Sequence, residues 1–429
     1  MSICFKDELT MNDIPKILGK VPFDVQWEVA QKEMPNEEFP FLRPTMIKEN
    51  CELAGFEPEA ISYLQSVAAQ ISTIPDLKHL FWYCHCLLCH SPSYSRSDVC
   101  NWRLLTNLLG ELAGAFYLLV TLSGIPNAKK FHQIRRIPAE VLQDTYSDTW
   151  IWANDYKDKH NTWGIDLNII PWLFNHLSGE LYRLGRLQFI PRPLGQKIRV
   201  FRKREKRGVV VLSEGNVKFS GEGQISSAGV ENNQENNWTS RLSFDSEGVV
   251  GTPIYPTGRA GAEETHLACK SWRQALAPGD PILEIHIPAG SPMDFDACGD
   301  SLLQALDFFP RYFPDRPFLG FCCTSWLLNT QYQNWLPPTS NIVRFQREFY
   351  LFPIYSNQRS GFNRIFGTNS QNFSKLPRDT RLRRAVLDCL ESGEHLRSGG
   401  ALLLAQDLDW GNQIYQKGRS NSEWPQSQE

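Results

Sequence analysis

The amino-acid sequence predicts an α+β protein, in which a mostly helical N-terminal part precedes a mixed β-sheet part with packed helices. Three observations carry that expectation. Over residues 14–186, apolar positions recur at the three- and four-residue spacing of helices, between turn signals such as Pro75-Asp76 and Ser123-Gly124-Ile125-Pro126. Beyond Leu187-Gln188-Phe189-Ile190, the prolines Pro191 and Pro193 end this texture and β-branched runs such as Val209-Val210-Val211-Leu212 take over. From Pro281 onward, strand-like runs alternate with helical ones, a pattern that builds a sheet with helices packed on it.

A chain of 429 residues exceeds what one hydrophobic core usually serves, so two domains are expected. The change of texture near Pro191 divides them into residues 1–190 and 191–418. A stretch rich in Gly, Ser, Asn, Gln and Glu at 221–241 reads as a mobile loop, and 419–429 reads as a flexible tail. The segment 102–122 is the most apolar of the first part. Its Leu105, Leu108, Leu109, Leu112, Phe116, Leu119 and Val120 form the wide face of a central core helix. In the second part the expected order is strand 282–287, loop 288–292, a helix through Phe309, strand 319–323, a short helix at 331–335, strand 342–354, helix 380–390 and strand 401–404.

A net charge of −3 supplies no global field for nucleic acid or anionic lipid, so neither is expected as a partner. The longest apolar stretch, 111–126, is too short and too interrupted to span a bilayer. The opening residues, with Cys4, Lys6, Asp7 and Glu8, lack the basic-then-apolar order of a signal peptide, so a cytoplasmic location is expected. Eleven irregularly spaced cysteines fit reduced thiols, with Cys322 and Cys323 as buried small hydrophobes. The basic run 197–207 reads as a solvated strand or linker.

The most informative segment is Glu284-Ile285-His286-Ile287-Pro288. On a strand, Glu284 and His286 share one face while Leu283, Ile285 and Ile287 share the other. Both polar groups can take a proton from an amine nucleophile, and burial is expected to raise the glutamate toward neutrality. A core histidine bonded to backbone is the structural alternative. The following Ala289-Gly290-Ser291-Pro292 leads into a helix with Ser291 as N-cap, Pro292 as first-turn proline and Asp294 as capping-box acid, and with Asp294 or Asp296 as alternative caps. Such a glycine-containing turn at a helix start presents backbone N–H groups suited to a pyrophosphate. A second loop, 358–363, holds Arg359 and Gly361 but has the composition of an ordinary turn.

The cluster His79, Cys84, His85, Cys86, Cys89, His90 and Cys100 lacks the two short-spaced ligand pairs of a structural zinc site. On a helix these side chains spread around the cylinder, so packing is expected and no metal. No nucleophile elbow, phosphate-binding Walker loop or His-Glu-x-x-His occurs, and Ser325 has no serine-hydrolase context.

The stretch from Gly279 to Gly290, with Phe308-Phe309-Pro310-Arg311-Tyr312-Phe313-Pro314, Ser325-Trp326-Leu327-Leu328 and Arg344-Phe345-Gln346, resembles a family of bacterial acyltransferase-domain proteins. These pair an N-acyltransferase N-terminal domain with a GNAT-like C-terminal domain. Leu122-Ser123-Gly124-Ile125-Pro126, Asp144-Thr145-Tyr146-Ser147-Asp148 and the segment 181–189 extend the resemblance into the first half. The resemblance implies an N-acyltransferase that uses acyl-coenzyme A as co-substrate and acylates a small-molecule or peptide amine. It further implies Glu284 or His286 as base, Tyr332 as acid for the departing thiolate, and Ile287, Ala289, Gly290 and Ser291 beside the coenzyme. Ser325 and Arg344 become candidate substrate contacts. The loop lacks the usual Gln/Arg-x-x-Gly-x-Gly/Ala of GNAT enzymes, which leaves a GNAT-shaped module that binds a ligand or partner without turnover as the alternative.

Overall fold

A computed structural model describes residues 23–35, 39–89, 109–205, 208–225, 237–356 and 361–416. The chain forms two compact units, Met1–Leu184 with Pro288–Ser291, and Gly185–Ile287 with Pro292–Glu429. The family resemblance's helical-then-sheet architecture is present in them.

In the first unit the described helices are α1 (Phe23–Lys32), α2 (Pro44–Leu53), α3 (Pro58–Thr73), α4 (Pro75–Cys89), α5 (Ala113–Leu122), α6 (Ile125–Ile134), α7 (Ala139–His160) and α8 (Ile170–Leu177). Proline opens α2, α3 and α4, where its missing N–H would be unsatisfied anyway. On α3 the buried residues are Ala60, Ile61, Leu64, Val67, Ala68 and Ile71, one stripe at helical spacing. Every residue of α5 is buried, which makes it the central helix. In the predicted central helix 102–122, a 3-10 turn at Gly110–Leu112 precedes α5, and 102–108 lie outside the described residues. Gly114 and Gly164 let the chain pass close to α5, since a Cβ on Gly164 would stand 2.5 Å from the Gly114 carbonyl carbon, and Ile165 N–H donates to Gly114 O at 3.1 Å. The unit ends with strand β1 (Tyr182–Leu184).

In the second unit β2 (Leu187–Pro193) is followed by an insertion of short strands. These are β3 (Ile198–Lys203), β4 (Val209–Ser213), β5 (Lys218–Phe219), β6 (Trp238–Thr239), β7 (Leu242–Phe244), β8 (Gly248–Gly251), β9 (Pro253–Tyr255), β10 (Arg259–Ala260), β11 (Thr265–Ala268) and β12 (Trp272–Leu276). They pair as β10-β9-β4-β3-β12, β11-β8-β7 and β5-β6. Phe201, Val210, Leu212, Val249 and Leu267 give them a core of their own. At the neck of the insertion, Leu194 N–H donates to Asp280 O at 2.8 Å and Gly279 N–H donates to Leu194 O at 2.9 Å.

The chain then forms β13 (Pro281–His286), α9 (Phe295–Tyr312), β14 (Gly320–Ser325), α10 (Tyr332–Trp335), α11 (Asn341–Arg347), β15 (Tyr350–Pro353), α12 (Phe362–Phe366), α13 (Arg381–Glu391) and β16 (Gly399–Leu404). Within this unit the large sheet runs β2-β13-β14-β16-β15. Its β13–β14 pair is parallel and the other three are antiparallel, so the sheet is mixed. Phe309 of α9 meets Phe189 of β2, and Phe189 meets Phe321 of β14, which places α9 on that face. On the other face Tyr350 of β15 donates its hydroxyl to Ile254 O, tying the large sheet to the insertion.

Three sequence expectations change. The strand β2 runs through Pro191 and Pro193 to pair with β13, although the two prolines predict a break there. Proline lacks only the donor, and a strand accepts it where that N–H has no ladder partner to meet. The strand expected at 342–354 is helix α11 followed by the short strand β15. The β-branched Ile342 and Val343 suggested extension, but Gln346 donates to Leu327 O and Asn329 O, a tertiary tie that outweighs local preference. The basic run at 197–207 is used for structure: Arg199 pairs with Glu214 at 2.6 Å, Arg202 is buried against Asp407, and Lys203 lies over Trp272. Residues 206–207 of that run, 226–236 of the polar loop and the tail 419–429 lie outside the described residues, as do the opening residues 1–22. Among the described residues no helix is long and apolar enough to cross a membrane.

Candidate active site

β13 reads Pro-Ile-Leu-Glu-Ile-His. Leu283 and Ile285 pack on the α9 side and are buried, while Glu284 and His286 turn to the other face. Their side chains are 29% and 30% exposed, so both remain open to a reactant. The antiparallel register sets Ile282 opposite Arg192, Glu284 opposite Ile190 and His286 opposite Gln188. Gln188, Ile190 and Arg192 therefore stand on the same face as the dyad.

Glu284 Oε2 lies 3.7 Å from His286 Nε2 and 3.4 Å from Arg192 Nε. The His286 imidazole first, and the Arg192 guanidinium after it, hold the Glu284 carboxyl below its ordinary value of 4.5 against the opposing effect of burial. Burial alone was expected to raise it. The sequence showed the histidine but not the cation on the neighbouring strand, and incomplete burial leaves the charges in command.

The parallel ladder between β13 and β14 covers Leu283↔Phe321 and Glu284↔Cys322 and stops there. β13 stays paired with β2 to His286↔Gln188, and β14 stays paired with β16 to Ser325↔Gly399. Beyond Glu284↔Cys322 the two strands keep their outer partners but are no longer laddered to each other, and this end of the pairing lies beside Glu284 and His286. Cys322, directly opposite Glu284, is buried, and that burial followed by the Glu284 charge pushes its thiol up to about 12. It is therefore no thiolate nucleophile.

The remaining candidate residues take other places. Ile287 ends β13's stretch of the second unit, whereas Ala289, Gly290 and Ser291 belong by their contacts to the helical unit. Gly290 has φ +92°, and a Cβ there would stand 3.3 Å from Ile151 of α7. The cap of α9 is Asp294, whose carboxylate accepts from Ala297 N–H at 2.8 Å, so the helix begins later than a Ser291 cap would place it. That carboxylate occupies the helix end where an anion would otherwise be drawn. Tyr332 is fully buried in a cluster with Leu336, Val343, Phe362, Val386 and Leu387, and burial raises its phenol. This is the setting of a packing aromatic and not of an acid delivering protons to a reactant. Ser325 caps the turn Trp326–Leu328, its Oγ accepting from Leu327 N–H at 3.1 Å. Arg344 stacks over the Phe295 ring at 3.7 Å. Both are thus engaged within the fold. Of the second candidate loop, residues 358–360 lie outside the described residues, and Gly361 is followed by α12.

The Cys/His cluster is part of α4. Cys84, His85 and Cys86 are buried, and His85 Nδ1 lies 2.7 Å from Ser123 Oγ while its ring stacks on Phe41. Among the described residues no group of three or more His, Cys, Asp or Glu side chains is arranged for a metal ion, and His90 and Cys100 lie outside them.

Sequence reasoning missed Arg192, because its partner strand lies some ninety positions away along the chain. It also missed a second carboxylate–imidazole pair in the helical unit. Asp148 Oδ2 accepts from Trp172 Nε1 at 2.7 Å and from Trp152 Nε1 at 3.2 Å, and His176 Nε2 lies 3.3 Å from it. The i, i+4 spacing of Asp148 and Trp152, and of Trp172 and His176, was the available signal.

A mixed sheet with packed helices, in which a parallel strand pair stops beside a carboxylate and an imidazole, fits a GNAT-like domain. The family model described as the GNAT-like C-terminal domain matches residues 181–403, more than half of the chain, and the one described as the N-acyltransferase N-terminal domain matches residues 46–179. The chain belongs to the acyltransferase family that these two domains define. Among solved structures it is similar to an acyltransferase in complex with decanoyl-CoA and teicoplanin, with 20% identity and a TM-score of 0.62 over 92% of this chain and 100% of that one. An acyltransferase variant in complex with octanoyl-CoA gives 20% identity and a TM-score of 0.61 over 92% of this chain and 99% of that one. At this identity the likeness is one of fold. No curated protein matches the sequence.

Proposed function

We propose that the chain transfers an acyl group from acyl-coenzyme A to an amine, with the thioester held where the β13–β14 ladder ends. The observation that supports this most is the end of the parallel ladder at Glu284↔Cys322, beside a partly exposed Glu284 and His286. The structurally similar acyltransferases in complex with octanoyl-CoA or decanoyl-CoA support acyl-coenzyme A as the donor. Backbone N–H groups near Ile287 would polarise the thioester carbonyl, and no metal is needed for the step.

His286 takes the proton from the acceptor. A carboxyl held below 4.5 is a poor acceptor for a proton from an ammonium that titrates near about 10, which leaves the imidazole beside it for that role. Glu284 then serves as the counter-charge that favours the imidazolium as it forms. Tyr332 has no part in this scheme. The glycopeptide teicoplanin bound to one similar acyltransferase fits an acceptor that is a small molecule or peptide bearing an amine.

The Asp294 carboxylate at the start of α9 is the one observation that favours binding without turnover, because it competes with a diphosphate for the helix end. Calorimetry with octanoyl-CoA, followed by a thiol-release assay with primary amines, separates the readings. Saturable binding with amine-dependent release, and loss of release but not of binding in His286→Ala, is the expected result. Binding with no release from any amine would favour the second reading, and no binding by a folded chain would remove both.

A further inference from the structure

The printed approaches of both partners to Glu284 are to the same oxygen: Arg192 Nε lies 3.4 Å and His286 Nε2 3.7 Å from Oε2. Arg192 stands opposite Ile282, one strand-pair step from Glu284 on the same face, and reaches across the diagonal to it. The carboxylate's terminal torsion is soft and roughly two-fold, so a second anchor besides His286 is what fixes its plane.

We propose that Arg192 is a positioning residue, which pins Glu284 by Oε2 so that Oε1 faces outward and receives the ammonium form of the acceptor next to His286. The inference rests on the reading of this chain as an amine acyltransferase. At neutral pH an alkylamine arrives as R–NH3+. Held at Oε1, it gives one proton to the His286 imidazole. The free amine then attacks the thioester carbon, a C–N bond forms, the C–S bond breaks, and the thiolate leaves as the nitrogen loses its second proton. The products are the amide, the coenzyme thiol and one proton released to solvent.

The test compares wild type with Arg192→Gln and Arg192→Lys, using octanoyl-CoA as donor and two acceptors, n-butylamine and hydroxylamine. The first is an ammonium ion at neutral pH, and the second is uncharged and needs no counter-charge. Because Arg192 is 46% exposed, solvent screening limits the effect, and Arg192→Gln is expected to lower kcat/KM for butylamine by about three- to fivefold, through KM. Hydroxylamine should be affected less than twofold, roughly the scatter of such assays, and Arg192→Lys should restore part of the butylamine rate. A carboxyl NMR titration of Glu284, assigned with Glu284→Gln, should show its midpoint rising toward the ordinary value in Arg192→Gln. Equal losses for both acceptors, no loss for either, or an unmoved Glu284 titration would overturn the proposal. If wild type binds no octanoyl-CoA, the transferase reading fails by itself, and the titration still decides whether Arg192 holds Glu284.

Discussion

Asp148–His176 and Glu284–His286 are both carboxylate–imidazole pairs, and they differ in nearly everything except composition. The first is 3% and 1% exposed, and its carboxylate oxygen collects two indole N–H bonds besides the imidazole. The second is about one-third open, at 29% and 30%. A buried charge must be fully met within the fold, and once met it has nothing left to offer a reactant. Chemistry needs the opposite: a charge kept ionised by neighbours yet incompletely satisfied.

Breaking each pair should therefore injure different properties. Asp148→Ala strips α7 and α8 of a shared buried anion, and a loss of about 3–5 kcal/mol of stability is expected, measured by urea unfolding. A loss under about 1 kcal/mol would mean that the pair is no more than packing. His286→Ala should leave the unfolding midpoint nearly unchanged while kcat falls by about 10²–10⁴-fold in the thiol-release assay. Equal damage to folding and turnover there would erase the contrast.

A third imidazole sharpens it. His132 is fully buried in the helical unit with Tyr146 Oη 3.0 Å from Nδ1, and burial pushes its pKa from 6.5 down to about 4. The folded chain binds this proton less readily than the unfolded chain. Stability is therefore intact above about 6.5, falls as the pH drops between those two values, and has lost on the order of 3 kcal/mol by pH 4. Urea unfolding at pH 7 and pH 4.5 should show this loss for wild type and a smaller one for His132→Gln.

These pairs also show what a sequence reveals. Alternation along β13 put Glu284 and His286 on one face without any knowledge of the sheet, because strand geometry is local. The sign of the Glu284 shift was not legible, since it depends on Arg192 and on partial exposure, both set by a strand pairing formed across the whole insertion. The helix α11 was misread for a related reason: the side chain of Gln346 finds its acceptors, Leu327 O and Asn329 O, in a turn that no local pattern announces. Tyr332 and Arg344 were attractive by residue type, but an aromatic cluster and the Phe295 ring claim them. Texture and period gave the helical half and the mixed sheet; long-range partners decided the electrostatics.

The neck at Leu194, Gly279 and Asp280 carries one more implication. Its two reciprocal hydrogen bonds bring the start and finish of the insertion to adjacent points, so everything between 195 and 278 is a closed excursion from the sheet. An engineered chain could therefore exchange that excursion as a cassette. What each exchange must replace is the grip of Arg202 on Asp407 and of Ile254 on Tyr350, while β2 and β13, and with them Arg192, Glu284 and His286, stay in register.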